Sequence, residues 1–220
     1  MSPRALPIEL YGDGIAEAAT AGRAVPGWHL VESPAHRRAN PFARWCGRPS
    51  PSDATLLARC CGPTVDVGCG PGRLAAELSR RGVACLGVDT CDTAVKLARR
   101  SGATAIQRSV FDPLPREGWW RVALLADGNI GIGADPDRLL RRISEIIAEC
   151  GTVLCEVDPP GEHTGIRRYR IESPNGVCSS WFDWARVSVD DIEALAGACG
   201  WCEESRWTVA GRWFVTLVRQ

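Results

Sequence analysis

A surplus of either charge and long apolar runs are missing from this sequence, and lysine is scarce. The 26 basic and 26 acidic residues cancel to a formal charge of +0, so no overall field draws the chain to nucleic acid or to an anionic membrane. No apolar run approaches the roughly 18 residues of a membrane span. The opening MSPRALPIELYGDG also lacks the continuous apolar stretch of a signal peptide. These absences lead us to expect a cytoplasmic protein whose partner is a small molecule rather than nucleic acid or membrane. No metal is expected either. The one metal-like spacing, Cys199-Gly200-Trp201-Cys202, has no second CxxC and no nearby histidine to complete a zinc site. The eleven cysteines are scattered, are too odd in number to pair fully within one monomer, and read as small buried hydrophobes. Lysine occurs once beside 25 arginines, which, with much Ala, Gly and Pro, fits a GC-rich bacterial genome.

A chain of 220 residues fits one domain with some elaboration. From Thr64 onward, short apolar runs alternate with helical patterns, as parallel strands joined by crossover helices do. Strands are expected at Thr64 to Val67, Ala84 to Val88, Ala105 to Ser109, Arg121 to Ala126 and Thr152 to Val157. Before the last of these, Asp135 can cap a helix. Pro136 stands in its first turn, Leu139, Leu140, Ile143, Ile146 and Ile147 form one apolar stripe, and Gly151 ends it. RRYRIES and GVCSSWFDW flank Pro174-Asn175-Gly176 and read as a hairpin inserted after strand five. Ser188 with Asp191 opens a capped helix reaching Gly200, and two final strands, about Glu204 to Val209 and Arg212 to Val218, turn at Ala210-Gly211. The expected fold is therefore α/β: a Rossmann-like doubly wound sheet, mostly parallel, with an antiparallel C-terminal strand pair. Residues 1–51 carry many Pro, Gly and Arg with weak helical periodicity and read as a loosely structured N-terminal cover over a domain spanning 52–220.

The strongest motif is Asp66-Val67-Gly68-Cys69-Gly70-Pro71-Gly72, where strand one meets a helix beginning near Arg73. Glycines let backbone amides approach a ligand, and the helix N-terminus beyond them favours an anion. A dinucleotide fingerprint would need its third glycine at position 73, which is Arg73 here, so the NAD reading is weakened.

The pattern DxGxGxG resembles the first motif of the class I S-adenosylmethionine-dependent methyltransferases, and the likeness continues from about Thr64 to Val157. The resemblance implies S-adenosyl-L-methionine as cofactor, held in part by Asp66, Gly68, Cys69, Gly70 and Gly72. In that family an acidic residue ending strand two takes both ribose hydroxyls. Asp89, followed by Thr90, stands there, and a carboxylate can accept two hydrogen bonds from a diol. Ser109-Val110-Phe111 occupy the adenine stretch, with a serine where the family usually has an acid. Ala126-Asp127-Gly128, followed by Asn129, match the stretch beside the methionine end.

The implied activity is methylation of a small molecule, on oxygen or nitrogen. A cofactor-binding enzyme of another reaction type and a regulator without turnover remain open. The N-terminal cover and the inserted hairpin should set specificity, because ligands of open α/β sheets sit outside the carboxyl ends of the strands. Candidates there are Trp28, His36, Asn129 and Arg168. Trp45, Trp181 and Trp184 could line an aromatic pocket or simply pack. Arg37, Arg38, Arg167 and Arg170 could be solvated faces or contacts to an anionic substrate. His163, just after strand five, is the candidate general base, with an exposed loop position as the alternative.

Overall fold

The computed structural model describes residues 5–33 and 35–220; Met1 to Arg4 and Pro34, which belong to the expected cover, lie outside the described residues. A seven-stranded sheet forms the centre. Five strands run parallel: β3 (Thr64–Val67), β4 (Cys85–Asp89), β5 (Ala105–Gln107), β6 (Trp120–Leu125) and β7 (Ile147–Val157). The last two, β10 (Trp201–Val209) and β11 (Arg212–Arg219), add an antiparallel pair, giving the order β10-β11-β7-β6-β3-β4-β5. This is the doubly wound, mostly parallel sheet expected from the sequence.

Burial explains why these strands read as apolar runs. In β6, Ala123 and Leu125 join one core cluster while Val122 and Leu124 join another, so both faces of the strand must be apolar. The helices α4 (Arg73–Arg80), α5 (Asp92–Arg100) and α6 (Pro136–Ile146) connect the parallel strands. Asp135 caps α6 by accepting the Arg138 N–H at 2.9 Å, and Leu139, Leu140, Ile143 and Ile146 are fully buried along its stripe. The turn from β10 to β11 places Ala210 and Gly211 at φ of 52° and 76°, the two positive values a type I′ hairpin turn needs.

Several boundaries differ from expectation. α6 ends at Ile146, and Ile147 already belongs to β7, whose pairing with β6 jumps from Ile147 to Thr152. Gly151 therefore sits in this irregular stretch rather than closing the helix. A Cβ there would stand 2.9 Å from the Ala148 carbonyl oxygen. The helix expected from Ser188 is the shorter α7 (Ile192–Gly197). The Ser188 hydroxyl instead accepts the Asp190 N–H and donates to the Pro159 carbonyl.

The larger correction concerns the N-terminal segment, whose described residues form ordered structure and not a loose cover. α1 (Pro7–Ala21) is followed by the strands β1 (His29–Ser33) and β2 (His36–Ala39), then α2 (Phe42–Cys46) and α3 (Pro51–Leu57). Gly12 and Gly14 lower the helical propensity of PIELYGDGIAEAATA, yet they permit its packing. A Cβ on Gly14 would stand 2.0 Å from the Phe42 ring. Leu10, Ile15, Ala18, Trp28 and Phe42 form a third core with Ala94 of α5. The hairpin after β7 is made by β8 (Gly165–Glu172) and β9 (Phe182–Arg186). It does not stand alone, because β1 pairs with β8 and completes a second sheet in the order β2-β1-β8-β9.

No helix of the described residues is long and apolar enough to cross a membrane.

Candidate functional site

A cavity of about 810 Å³ opens where the strand order reverses between β3 and β6, at their carboxyl ends. That is where open α/β sheets bind ligands. The loop after β3 forms its floor. The Gly68 and Cys69 amides both reach the Val88 carbonyl, at 2.8 and 3.1 Å, which ties the loop to β4. Gly68 and Gly70 have φ of 70° and 54°, a region that suits glycine. At Gly70 a Cβ would meet only the Tyr11 hydroxyl, at 3.1 Å, so this backbone faces open space under α1. Gly87 in β4 makes room for the Cys69 thiol, which would stand 2.7 Å from a Cβ there.

Of the residues singled out in the sequence, Asp66, Gly68, Cys69, Gly70, Asp89, Thr90, Ser109, Val110, Phe111, Ala126, Asp127 and Gly128 all line this cavity. Gly72 does not. It caps α4 at φ 83°, and a Cβ would stand 2.6 Å from that of Ala98, so it serves the packing of α4 on α5. Asp89 accepts the Gly70 N–H at 2.9 Å and the Cys91 N–H at 2.8 Å. Burial pushes its carboxyl above the ordinary value, and those amides pull the other way. Asp66 lies beneath the loop with one oxygen unpartnered. Burial, and then the Asp127 charge, push its carboxyl up to about 7. The Ser109 hydroxyl accepts the Phe111 N–H at 3.2 Å and shapes the turn after β5.

The acceptor candidates fare differently. Asn129 lines the cavity, but its side-chain amide donates to the Val67 and Gly68 carbonyls at 2.8 and 2.9 Å, clamping the glycine loop. Trp28 is outside the lining, with its indole N–H on Glu17 at 2.7 Å and its ring edge-on to Phe42. His36 is exposed on β2 against Ser33, and Arg168 is exposed on β8 with Asp183 at 3.8 Å. His163 stands in the exposed turn before β8, also outside the lining. These four are therefore not brought together with the glycine loop. Trp45 and Trp184 are, whereas Trp181 is not. The Trp184 indole donates to the Gly128 carbonyl at 3.0 Å.

A cluster of ion pairs beside the loop was missed in the sequence. Arg73, read only as a missing glycine, reaches both Asp53 and Asp127. Arg212 contacts Asp53 at 2.7 Å, Asp127 at 3.2 Å and Glu156 at 2.6 Å, and Arg44 of α2 pairs with Asp127 at 2.6 Å. Three cations thus face three carboxylates, which makes burial of the group tolerable. Asp127 is held at φ 56°, a strained value for a residue with a side chain, with its N–H on Glu156. The cluster assembles from six separate segments, so no local spacing announces it. Tyr11, one of only two tyrosines, was also missed. It lines the cavity, and burial followed by the Asp89 charge raises its hydroxyl pKa.

Known proteins share this fold. A family model described as "Methyltransferase domain" matches residues 65–155. No curated protein matches the chain. Among solved structures, the chain resembles an S-adenosylmethionine-dependent methyltransferase from Bacteroides fragilis in complex with S-adenosyl-L-homocysteine. The TM-score is 0.79 and the identity 18%, with 95% of this chain and 94% of that one covered. It also resembles the 1,6-didemethyltoxoflavin N1-methyltransferase of Burkholderia thailandensis, at TM-score 0.62 and 17% identity over 100% and 93% of the two chains. A sugar N-methyltransferase from a Streptoalloteichus species follows at TM-score 0.61 and 19% identity over 81% and 91%. At such identities these structures speak for the fold. The family match runs from β3 to β7, the stretch that builds the glycine loop and the floor of the cavity, so this part of the chain is similar to a methyltransferase domain.

Proposed function

We propose that this enzyme methylates a nitrogen or oxygen of a small molecule, in bacterial natural-product metabolism, inside the cavity between the two sheets. The observation that carries the reading is the roof. The sheet β2-β1-β8-β9 covers the carboxyl edge where S-adenosyl-L-methionine would lie, leaving about 810 Å³, room for a cofactor and a small acceptor but not for a duplex or a folded protein. Similar folds in the toxoflavin-precursor and sugar N-methyltransferases act on small molecules and support it.

The residues present fit the cofactor. The open backbone at Gly70 gives a cradle that a side chain would fill, and Trp45 has a buried indole N–H without a partner at the cavity wall. Asp89 would accept the ribose hydroxyls. Val110, Phe111 and Ser109 would border the adenine, and Ala126, Asp127 and Gly128 the methionine end. The cofactor supplies an electrophilic methyl group on a sulfonium. The chain itself must align the acceptor with that methyl and exclude water, and orientation of this kind can supply much of a rate enhancement. The carboxylates on the acceptor side are each engaged by an arginine: Glu156 by Arg212 and Asp158 by Arg186. Positioning therefore carries the catalysis rather than a dedicated base.

Thermal denaturation with candidate cofactors tests this directly. Ligand at about a hundred times its Kd adds about 2.7 kcal/mol, which raises the Tm of a chain this size by roughly 5–10 °C. S-adenosylmethionine and S-adenosylhomocysteine should do so, and NAD should not. A shift with NAD alone, or none with either sulfur compound, would overturn the assignment.

A further inference from the structure

Strand register decides which roof residues face the acceptor. Leu30 pairs with Arg38 across β1 and β2 and with Ile171 across β1 and β8, while Tyr169 pairs with Phe182 across β8 and β9. Directly paired residues share a face, and alternate residues along a strand share it too. Leu30, Arg38, Ile171, Tyr169, Phe182 and Trp184 therefore form one surface, and all six line the cavity. The Tyr169 and Phe182 ring centroids stand 6.2 Å apart and tilted by 46°, and Trp184 is pinned by its hydrogen bond to Gly128. The surface is an aromatic and aliphatic ceiling; Arg186 and Arg167 lie on the same face, paired with Asp158 and Glu32, and Arg38 adds a further charge.

That charge has no carboxylate partner. Of the cavity-lining arginines, Arg44 is paired with Asp127, Arg73 with Asp53 and Asp127, and Arg186 with Asp158. Arg108, beside the expected adenine stretch, donates to the Pro113 carbonyl at 2.7 Å. Among the described residues Arg38 has no carboxylate within 4.0 Å, and its guanidinium stands over the Tyr169 ring at 5.6 Å from the centroid. Burial raises the Tyr169 hydroxyl pKa, and the nearby charges of Arg186, Arg38 and Arg167 pull it down while Glu32 pushes it up. The ceiling is electropositive where the ring-bearing part of an acceptor would lie. A guanidinium in such a place recognises a carboxylate or phosphate through paired N–H donors, and aromatic walls favour a planar guest.

We propose that the acceptor is a planar ring compound bearing an anionic group, and that Arg38 is the residue that reads that group. The proposal rests on the methyltransferase reading of the site, and its test separates the two. The protein saturated with S-adenosylhomocysteine is titrated calorimetrically with three probes of one shape: a hydroxynaphthoate, the corresponding neutral hydroxynaphthamide, and the aminomethyl naphthol that carries a cation. The acid should bind about tenfold or more tighter than the amide, since a charged hydrogen-bonded contact is worth about 1.5–3 kcal/mol. Arg38→Gln should abolish that preference, Arg38→Lys should keep part of it, and both variants should bind S-adenosylhomocysteine as the wild type does. Equal affinity for acid and amide, preference for the cation, no binding of any probe, or a preference that survives Arg38→Gln would each overturn it. Failure of the wild type to bind S-adenosylhomocysteine would instead strike at the methyltransferase reading itself.

Discussion

Replacing Asp66 by asparagine should change how the stability of the ligand-free protein depends on pH. Asp66 is 2% exposed in β3, with one oxygen unpartnered. Burial first, then the charges of Asp127 and Asp89, raise its carboxyl from 3.8 to about 7, while the Ala75 amide pulls it down. Between those values the native chain keeps a proton that the unfolded chain has released. The native state then binds more protons, so stability falls as pH rises through the window. The cost is absent below 3.8 and complete above about 7. At 1.36 kcal/mol for each tenfold difference in proton affinity, it amounts to about 4 kcal/mol, of which more than half accrues between about pH 5 and pH 8. Asparagine has nearly the same shape and does not titrate. Its amide needs a partner in the same place, which adds an offset independent of pH, so the slope is the informative quantity. Buried thiols do not interfere, because Cys46 is pushed up to about 11 and Cys60 to about 12 and both stay protonated throughout. Urea denaturation of both proteins across this range should show the variant gaining on the wild type by roughly 2–3 kcal/mol. Parallel pH curves would mean that Asp66 is ionised and solvated in the native protein, and the account of its burial would fail.

The other predictions concern the walls of the cavity. Asp89→Ala should weaken S-adenosylhomocysteine binding by about 1.5–3 kcal/mol, through loss of a charged acceptor and of the carboxylate that holds the Gly70 amide. Calorimetry returning the wild-type affinity would remove Asp89 from the site. Gly131→Ala should lower the Tm by roughly 3–10 °C through overpacking, because its Cβ would stand 2.1 Å from the Ala185 carbonyl oxygen and 2.3 Å from the Trp184 indole nitrogen. A melting curve that overlays the wild type would show that β9 does not press on the segment after Gly128.

The central sheet and the residues that line the floor of the cavity could be read in the sequence because both are local. Strands Thr64–Val67 and Cys85–Asp89 are apolar runs bounded by glycine and charge, and each site residue follows its strand within a few positions. Gly72 shows the limit of such reading. It completes the motif in sequence, yet in space it meets Ala98 of α5, and only the packed structure tells a glycine needed by a ligand from one needed by a neighbouring helix. α1 escaped for the opposite reason. Its glycines argue against a helix by propensity, and the burial of Leu10, Ile15 and Ala18 against α2 and α5 overrides them.

The acceptor side was hard to read because its parts are neighbours only through strand pairing. Leu30 and Ile171 lie far apart in the chain and are adjacent in the roof. In β1 and β2 the alternation that would mark one face is hidden, because β2 reads HRRA with every residue exposed. The arginines illustrate the consequence. Arg37, Arg38, Arg167, Arg168 and Arg170 look alike in sequence, yet Arg37 bonds Glu172 at 2.9 Å, Arg168 stands near Asp183 on the outer side, and Arg38 lines the cavity. A one-residue shift of β2 against β1 would exchange Arg37 and Arg38 between the two faces. The register also couples the N-terminal segment to the inserted hairpin, since β1 lies between β2 and β8 and Arg44 ties α2 to Asp127 beside the glycine loop. On the proposed reading, specificity is thus a property of the pairing between two distant segments, and a change in either one would re-aim the charge that the other presents to the acceptor.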